Sequence, residues 1–379
     1  MDAGKREGTF KPNLRQEGCE REKKKDERGG LGEMKAAACQ IWFISNLLAV
    51  HLQVFREKGI LFGYRHPRSS ATDCIVSLFQ MTNETVNIWT HFLPAWYFLW
   101  KLSALIYTLD VWRDSYTWPF LAYMVTCCIY PLTSSIAHTF STMSSRARHI
   151  CYFFDYGALA LYSLGSAIAY SAYVFPEEWI GSTFHHYYVS TAVLNTVVGT
   201  SLSCYSRLGL PYFHYNSGGI ERFNEMEQPK FSKTIRTFAF AHPYMFDSIP
   251  LFYRLYLCAA RSCTESVIPI HLKHTVFAWL TCFLFTTHLP ERLAPGLFDY
   301  IGHSHQLFHI CGIIGTHFQM EALLVDMANR REWLLAPSFS QTFGSLAAAI
   351  VVNLIIIAAF STTLYSMPKF CRKGSKHKD

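Results

Sequence analysis

Eight stretches of about 20 mostly apolar residues run along the chain, at roughly 86–108, 118–140, 150–175, 185–205, 234–257, 272–290, 303–325 and 342–366. Backbone N–H and C=O groups in hydrocarbon must be paired within their own segment, so each stretch is predicted to be a helix that spans a bilayer. A further segment, 36–55, is long enough to cross but is interrupted by Gln40, Asn46, His51 and Gln53, and is expected to lie in the interface. Residues 1–35 mix ten Lys/Arg with eight Asp/Glu and are expected to be disordered. That charged lead is too long for the n-region of a cleaved signal. The pattern therefore divides the chain into a disordered N-terminus (1–35), an interfacial region (36–85), an eight-span domain (86–366) and a basic tail (367–379). The fold class is all-α polytopic membrane protein.

Composition agrees with lipid as the solvent. Half of the residues are apolar and only 16% are charged, against about 25% in soluble domains. No nucleic-acid partner is expected. With eight spans, one side of the membrane collects sixteen Lys/Arg near the helix ends and the other seven. The positive-inside rule then puts both termini in the cytoplasm. The sequon Asn83-Glu84-Thr85 would face the cytoplasm unmodified. The twelve cysteines contain no CxxC pair and read as small packing residues. In the tail, Cys371 reads as a free thiol.

Against this apolar background, polar residues inside spans mark function by default. His305 and His309 are one helical turn apart, so both imidazoles share a face and can grip one ion. Helix parity supplies their partners: span 2 ends, and spans 3 and 7 begin, on one side of the membrane, which places His138, Asp155, His305 and His309 in one depth layer. Three imidazoles with one open position suit a reactive Zn2+ site, with His138, His305 and His309 as ligands. Asp155 would orient the zinc water or a ligand histidine, and Ser134, one turn before His138, could donate to either. His303 is left out because it falls on another face. His242-Pro243 and Asp247 predict a kinked fifth span lining a cavity, with Gln319 and Glu321 as further candidates for ligand contact.

Several strings carry a resemblance: Gly63-Tyr-Arg65, Ser77-Leu-Phe79, Asn83-Glu-Thr-Val-Asn-Ile-Trp-Thr-His91, Ser134-x-x-x-His138, Phe154-Asp155-Tyr156, Pro290-Glu-Arg292 and Ser304-His-Gln-Leu-Phe-His309. Together they resemble the progestin and adipoQ receptors, and within them the membrane progestin receptor branch, from about Gly59 to Ser366. The resemblance implies a seven-helix core with zinc on His138, His305 and His309, Ser134 and Asp155 near the zinc water, and an eighth C-terminal span. It also implies a plasma-membrane receptor for progestins such as progesterone, signalling through inhibitory G proteins. Two features depart from the family: the first 58 or so residues, and a long connection from Gly209 to Gln228 between spans 4 and 5.

Two functions compete. In one, a steroid enters a cavity among the spans and biases helix positions read at the cytoplasmic side. In the other, the zinc site is an amidohydrolase acting on ceramide-like lipids, with Asp155 positioning the water and Ser134 helping to hold an oxyanion. A transporter is disfavoured, because no internal repeat is evident. The oligomeric state is not legible.

Overall fold

The computed structural model describes residues 57–208, 213–216, 219–222, 232–261, 263–331 and 338–366. The expectations for 1–35, 36–55 and 367–379 lie outside these residues. The chain enters through a short helix, α1 (Ala71–Val76), closed by a capping box in which Ser70 and Asp73 satisfy each other's backbone N–H. The long helices follow: α2 (Thr85–Thr108), α3 (Trp118–Phe140), α4 (Ser145–Tyr173) and α5 (Thr183–Arg207). Next come α6 (Ser232–Asp247), α7 (Ile249–Arg261), α8 (Ile268–Thr287), α9 (Ser304–Asn329) and α10 (Ser345–Ser366). These match the eight apolar stretches, with α6 and α7 together forming the fifth. In the long connection after α5, β1 (Phe213–Asn216) pairs antiparallel with β2 (Gly219–Arg222), a ribbon the hydrophobic pattern did not predict.

Local chemistry sets the helix ends. Ser144 and Ser182 accept from the third residue of α4 and α5, respectively, as N-caps. Past the end of α4, the Arg330 guanidinium donates to the carbonyls of Tyr173 and Phe175, both at 2.7 Å, satisfying acceptors the helix leaves open. The fifth stretch is broken, as His242-Pro243 and Asp247 together predict, with the break beside Asp247. Pro243 is accommodated within α6, and the helix breaks at Ser248, between α6 and α7. Pro250 is the physical reason, since it has no N–H for the carbonyl four residues back and its ring crowds that turn.

Neighbour packing runs from α2 to α3, α4, α5 and α6, continues through α8 to α9, and returns from α9 to α2. The α4 helix is the most enclosed, touching α3, α5, α6, α9 and α10, while α10 lies against α4 and α5. Fully buried Tyr123, Tyr170, Tyr173, Phe98 and Phe120 form the main apolar cluster. Close approach relies on small residues, as in membrane helices generally. A Cβ at Gly165 would collide with Thr126 on α3, and one at Gly199 would stand 3.0 Å from the Ala239 carbonyl oxygen on α6.

Among the described residues, four segments are by themselves long and apolar enough to cross a membrane: Ser115–Phe140, Ile268–Thr287, Ser304–Asn329 and Ser340–Ser366. Others carry polar faces turned inward, such as Thr196, Thr200, Ser203 and Ser206 on α5, all buried. Lipid-facing residues alone do not raise such a helix to the same apolarity.

One sequence expectation is corrected. Cys258 and Cys263 form a disulfide between the end of α7 and the start of the next connection, so not every cysteine is a packing residue. Cys74, Cys127, Cys128, Cys151, Cys204, Cys282 and Cys311 are free thiols, of which Cys74, Cys127, Cys204 and Cys311 are buried and Cys282 is exposed. Cys371 lies outside the described residues.

Candidate metal centre

The end of α3 brings in His138, and the first two turns of α9 bring in His305 and His309. Each end is fixed by a buried charged group. Arg65 donates to the Thr139 carbonyl at 2.7 Å and also to the His138 carbonyl, holding the last turn of α3. Glu291 accepts from the Ser304 backbone N–H at 2.7 Å and from the Ser304 hydroxyl, anchoring the start of α9 with a carboxylate where the helix dipole favours one. Gly59 allows this: its φ is +94°, and a Cβ there would stand 2.7 Å from the Glu291 carbonyl oxygen.

His138, His305 and His309 offer one nitrogen each, all within 4.8 Å of one another. Nε2 of His305 and Nε2 of His138 are 3.2 Å apart, near the about 3.3 Å that separates two nitrogens on one tetrahedral zinc. Second contacts fix the ring roles. His138 Nδ1 lies 2.7 Å from the Glu84 carboxylate, which accepts a proton and donates none, so Nε2 is left as the lone pair. His309 Nδ1 lies 3.2 Å from the Asn87 carbonyl oxygen and 3.2 Å from the Thr90 hydroxyl, with the same consequence. Two of three imidazoles are thus set with the tautomer a metal ligand needs. The three side chains can hold a metal ion, and neutral nitrogen donors fit zinc.

Asp155 and Ser134 sit beside this group. Ser134 is buried one turn before His138, and Asp155 is half-buried on α4, close enough to interact electrostatically with His138. His303 caps α9 and meets the Asn83 carbonyl at 3.2 Å, apart from the ligand group.

The cavity candidates separate. His242 is exposed and contacts the Phe238 ring, and Glu321 forms a half-exposed ion pair with Lys101 at 3.4 Å. Gln319 and Asp247 lie inside. The hydroxyls of Tyr123 and Tyr162 donate to Gln319 Oε1 at 3.1 and 2.6 Å, and Gln319 Nε2 donates to the Tyr170 hydroxyl at 2.8 Å. Ser163 donates to Asp247 Oδ2, while Asp247 Oδ1 is buried without a partner.

Glu84 and His91 escaped the sequence reading as parts of this centre. Burial alone would push the Glu84 carboxyl up, but the adjacent His138 imidazole and the Arg65 guanidinium outweigh it and hold it well below the ordinary carboxylate range. His91 on α2 stacks on His309, ring centroids 3.7 Å apart. The signal was available: span 1 begins on the side where span 2 ends, so parity places Glu84 and His91 in the histidine layer too. At the other end of the bundle, Arg254 makes a bidentate pair with Asp326 at 2.8 and 2.9 Å, and His271 reaches Asp326 at 2.7 Å, a buried knot tying α7, α8 and α9.

Residues 79–320 match the family described as haemolysin-III related. The chain belongs to this family, that of the progestin and adipoQ receptors. It is 62% identical over 317 residues to membrane progestin receptor gamma-B of Danio rerio, covering 82% of this chain and 91% of that one. Membrane progestin receptor gamma of Homo sapiens is 57% identical over 84% of this chain and 93% of its own length. Membrane progestin receptor delta of Homo sapiens is 53% identical over 86% and 94%. With these relatives and its long apolar helices, this progestin and adipoQ receptor family member is a membrane protein.

Proposed function

We propose that the chain is a progestin receptor of the plasma membrane with eight spans and both termini in the cytoplasm, coupled to G proteins, whose three-histidine centre holds Zn2+. The observation that carries the receptor reading is the identity, between 53% and 62% over more than four fifths of this chain, to proteins named membrane progestin receptors. The Cys258–Cys263 disulfide supports the orientation. It lies on α7, at the end of the bundle away from the histidines, and disulfides persist in oxidising surroundings, which fits an extracellular position for that end and a cytosolic one for the histidines. Within the bundle, Gln319 and Asp247 are the interior polar groups suited to orient a steroid, the unpartnered Asp247 Oδ1 above all. For the steroid reading, saturable progesterone binding to the purified full-length protein in lipid nanodiscs is the test. Absence of saturable binding contradicts it.

One observation favours a second activity on the same centre. Three nitrogen ligands leave a coordination position open, with Asp155 and Ser134 beside it, the composition of a reactive rather than a purely structural site. A bound zinc there would polarise an amide carbonyl and acidify its water. Asp155 would accept the water proton and Ser134 would hold Asp155 in place, giving ceramide hydrolysis and a sphingoid base. Release of fatty acid from ceramide by the wild type, lost in Asp155→Asn with zinc retained, is the expected result. No turnover by zinc-loaded protein removes this reading and leaves the receptor reading standing.

A further inference from the structure

The three nitrogen donors of the metal centre come from α3 and α9, yet one turn of α2 surrounds one of them. Asn87, Thr90 and His91 lie at i, i+3 and i+4 on α2, neighbours on the helix surface. The Asn87 carbonyl oxygen and the Thr90 hydroxyl each stand 3.2 Å from His309 Nδ1. The His91 ring lies flat on the His309 ring, with centroids 3.7 Å apart and planes 16° from parallel.

Contacts at Nδ1 alone hold a ring loosely. Both are at the long end of hydrogen-bond length, and the torsion that swings a histidine ring about its Cβ–Cγ bond has a broad minimum. A ring packed face to face closes that freedom, because a swing in either direction drives one edge of His309 into His91. His91 is in turn fixed. It is buried, and the Tyr130 ring meets it edge-on, centroids 5.9 Å apart at 86°. Tyr130 is itself tied to α9 through its hydroxyl, 3.0 Å from Thr316 Oγ1. His91 Nδ1 is buried with no hydrogen-bond partner, an arrangement that costs stability. What the imidazole supplies is therefore its flat face, not a hydrogen bond from that nitrogen. The ligand His138 also leans on this part of the chain, through Glu84, which accepts from Asn87 Nδ2 at 2.9 Å. The start of α2 thus braces two of the three ligand rings.

We propose that His91 is a positioning residue of the metal centre, whose ring fixes the plane of His309 and keeps Nε2 of His309 aimed at the position it shares with His138 and His305. This role rests on the zinc reading of the same centre. A histidine that merely filled space there would change stability when replaced and leave metal affinity alone.

The test compares wild type, His91→Leu and His91→Phe, each full-length in detergent micelles, stripped of metal and reloaded. Zinc affinity is read by chelator competition and ligand geometry by the visible bands of bound Co2+, both well below the lowest thermal midpoint of the metal-free proteins. Leucine fills the space without a flat face, so His91→Leu should bind zinc about tenfold more weakly and should shift or broaden the Co2+ bands. His91→Phe keeps a flat face and removes the unpaired nitrogen, so its affinity should stay within about threefold of the wild type. A folded His91→Phe as weak as His91→Leu overturns the proposal, because the nitrogens rather than the face would then matter. If the larger phenylalanine ring prevents folding, His91→Leu decides alone. A zinc-loaded wild type beside a His91→Leu with unchanged affinity and spectrum removes this role and leaves the zinc reading standing. A wild type that takes up no zinc removes both.

Discussion

At the scale of single residues, the metal centre depends on groups that do not touch the metal position. Glu84 fixes the tautomer and direction of His138 through a 2.7 Å contact. Glu84→Gln keeps the shape but replaces a charged acceptor with a neutral one, so zinc affinity should fall about 10–100-fold, as measured by competition with a chelator. The thermal midpoint of the zinc-free protein should fall as well, because the ionised carboxylate is stabilised by His138 and Arg65, so zinc affinity is compared well below either midpoint. Gln319 predicts a different pattern. Gln319→Leu removes the partner of the buried Tyr170 hydroxyl and one partner each of Tyr123 and of half-buried Tyr162, both of which still meet Thr316, and should cost roughly 1–3 kcal/mol of stability while leaving zinc content intact. The three histidines were legible because i, i+4 spacing and span parity are properties of sequence. Glu84 was overlooked because it stands just outside the apolar stretch, where an acidic residue reads as solvated. Its burial is decided by Arg65 and His138, far away in the chain.

At the scale of elements, the apolar stretches gave the helices to within a few residues, because lipid leaves the backbone no alternative. Breaks and crosslinks were harder to read. Proline alone did not locate the kink in the fifth span, since Pro243 is tolerated and Pro250 is not. The Cys258–Cys263 bridge has no spacing signature of its own. It needs the turn after α7 to bring the two thiols together. Close helix contacts give a prediction here. Gly165 faces Thr126 with no room for a Cβ, so Gly165→Leu should separate α3 from α4 and destabilise the bundle by about 1–3 kcal/mol. Thermal unfolding in micelles reads this. An unchanged midpoint would mean that the two helices can move apart freely.

For the whole molecule, two ends with different chemistry emerge: a histidine end braced by Arg65, Glu84 and Glu291, and an opposite end tied by Arg254, Asp326, His271 and a disulfide. The proposed orientation puts the disulfide outside the cell. After mild reduction of intact cells, a membrane-impermeant maleimide should label the wild type, and the Cys258→Ser, Cys263→Ser double variant should lose that label. Labelling that appears only after permeabilisation would reverse the topology. The positions of the helices were readable from hydrophobic pattern alone, whereas a ligand was not, because steroid recognition depends on the shape of an interior that no periodicity encodes.

The central claim is that His138, His305 and His309 hold one metal between α3 and α9. Its most direct test is elemental analysis of the full-length protein purified without added metal or chelator, beside His309→Ala. The wild type should carry about one equivalent of zinc, the number a single three-histidine site takes, and the variant should carry almost none. A well-folded wild type with no stoichiometric metal, or a variant that keeps its zinc, would contradict the account.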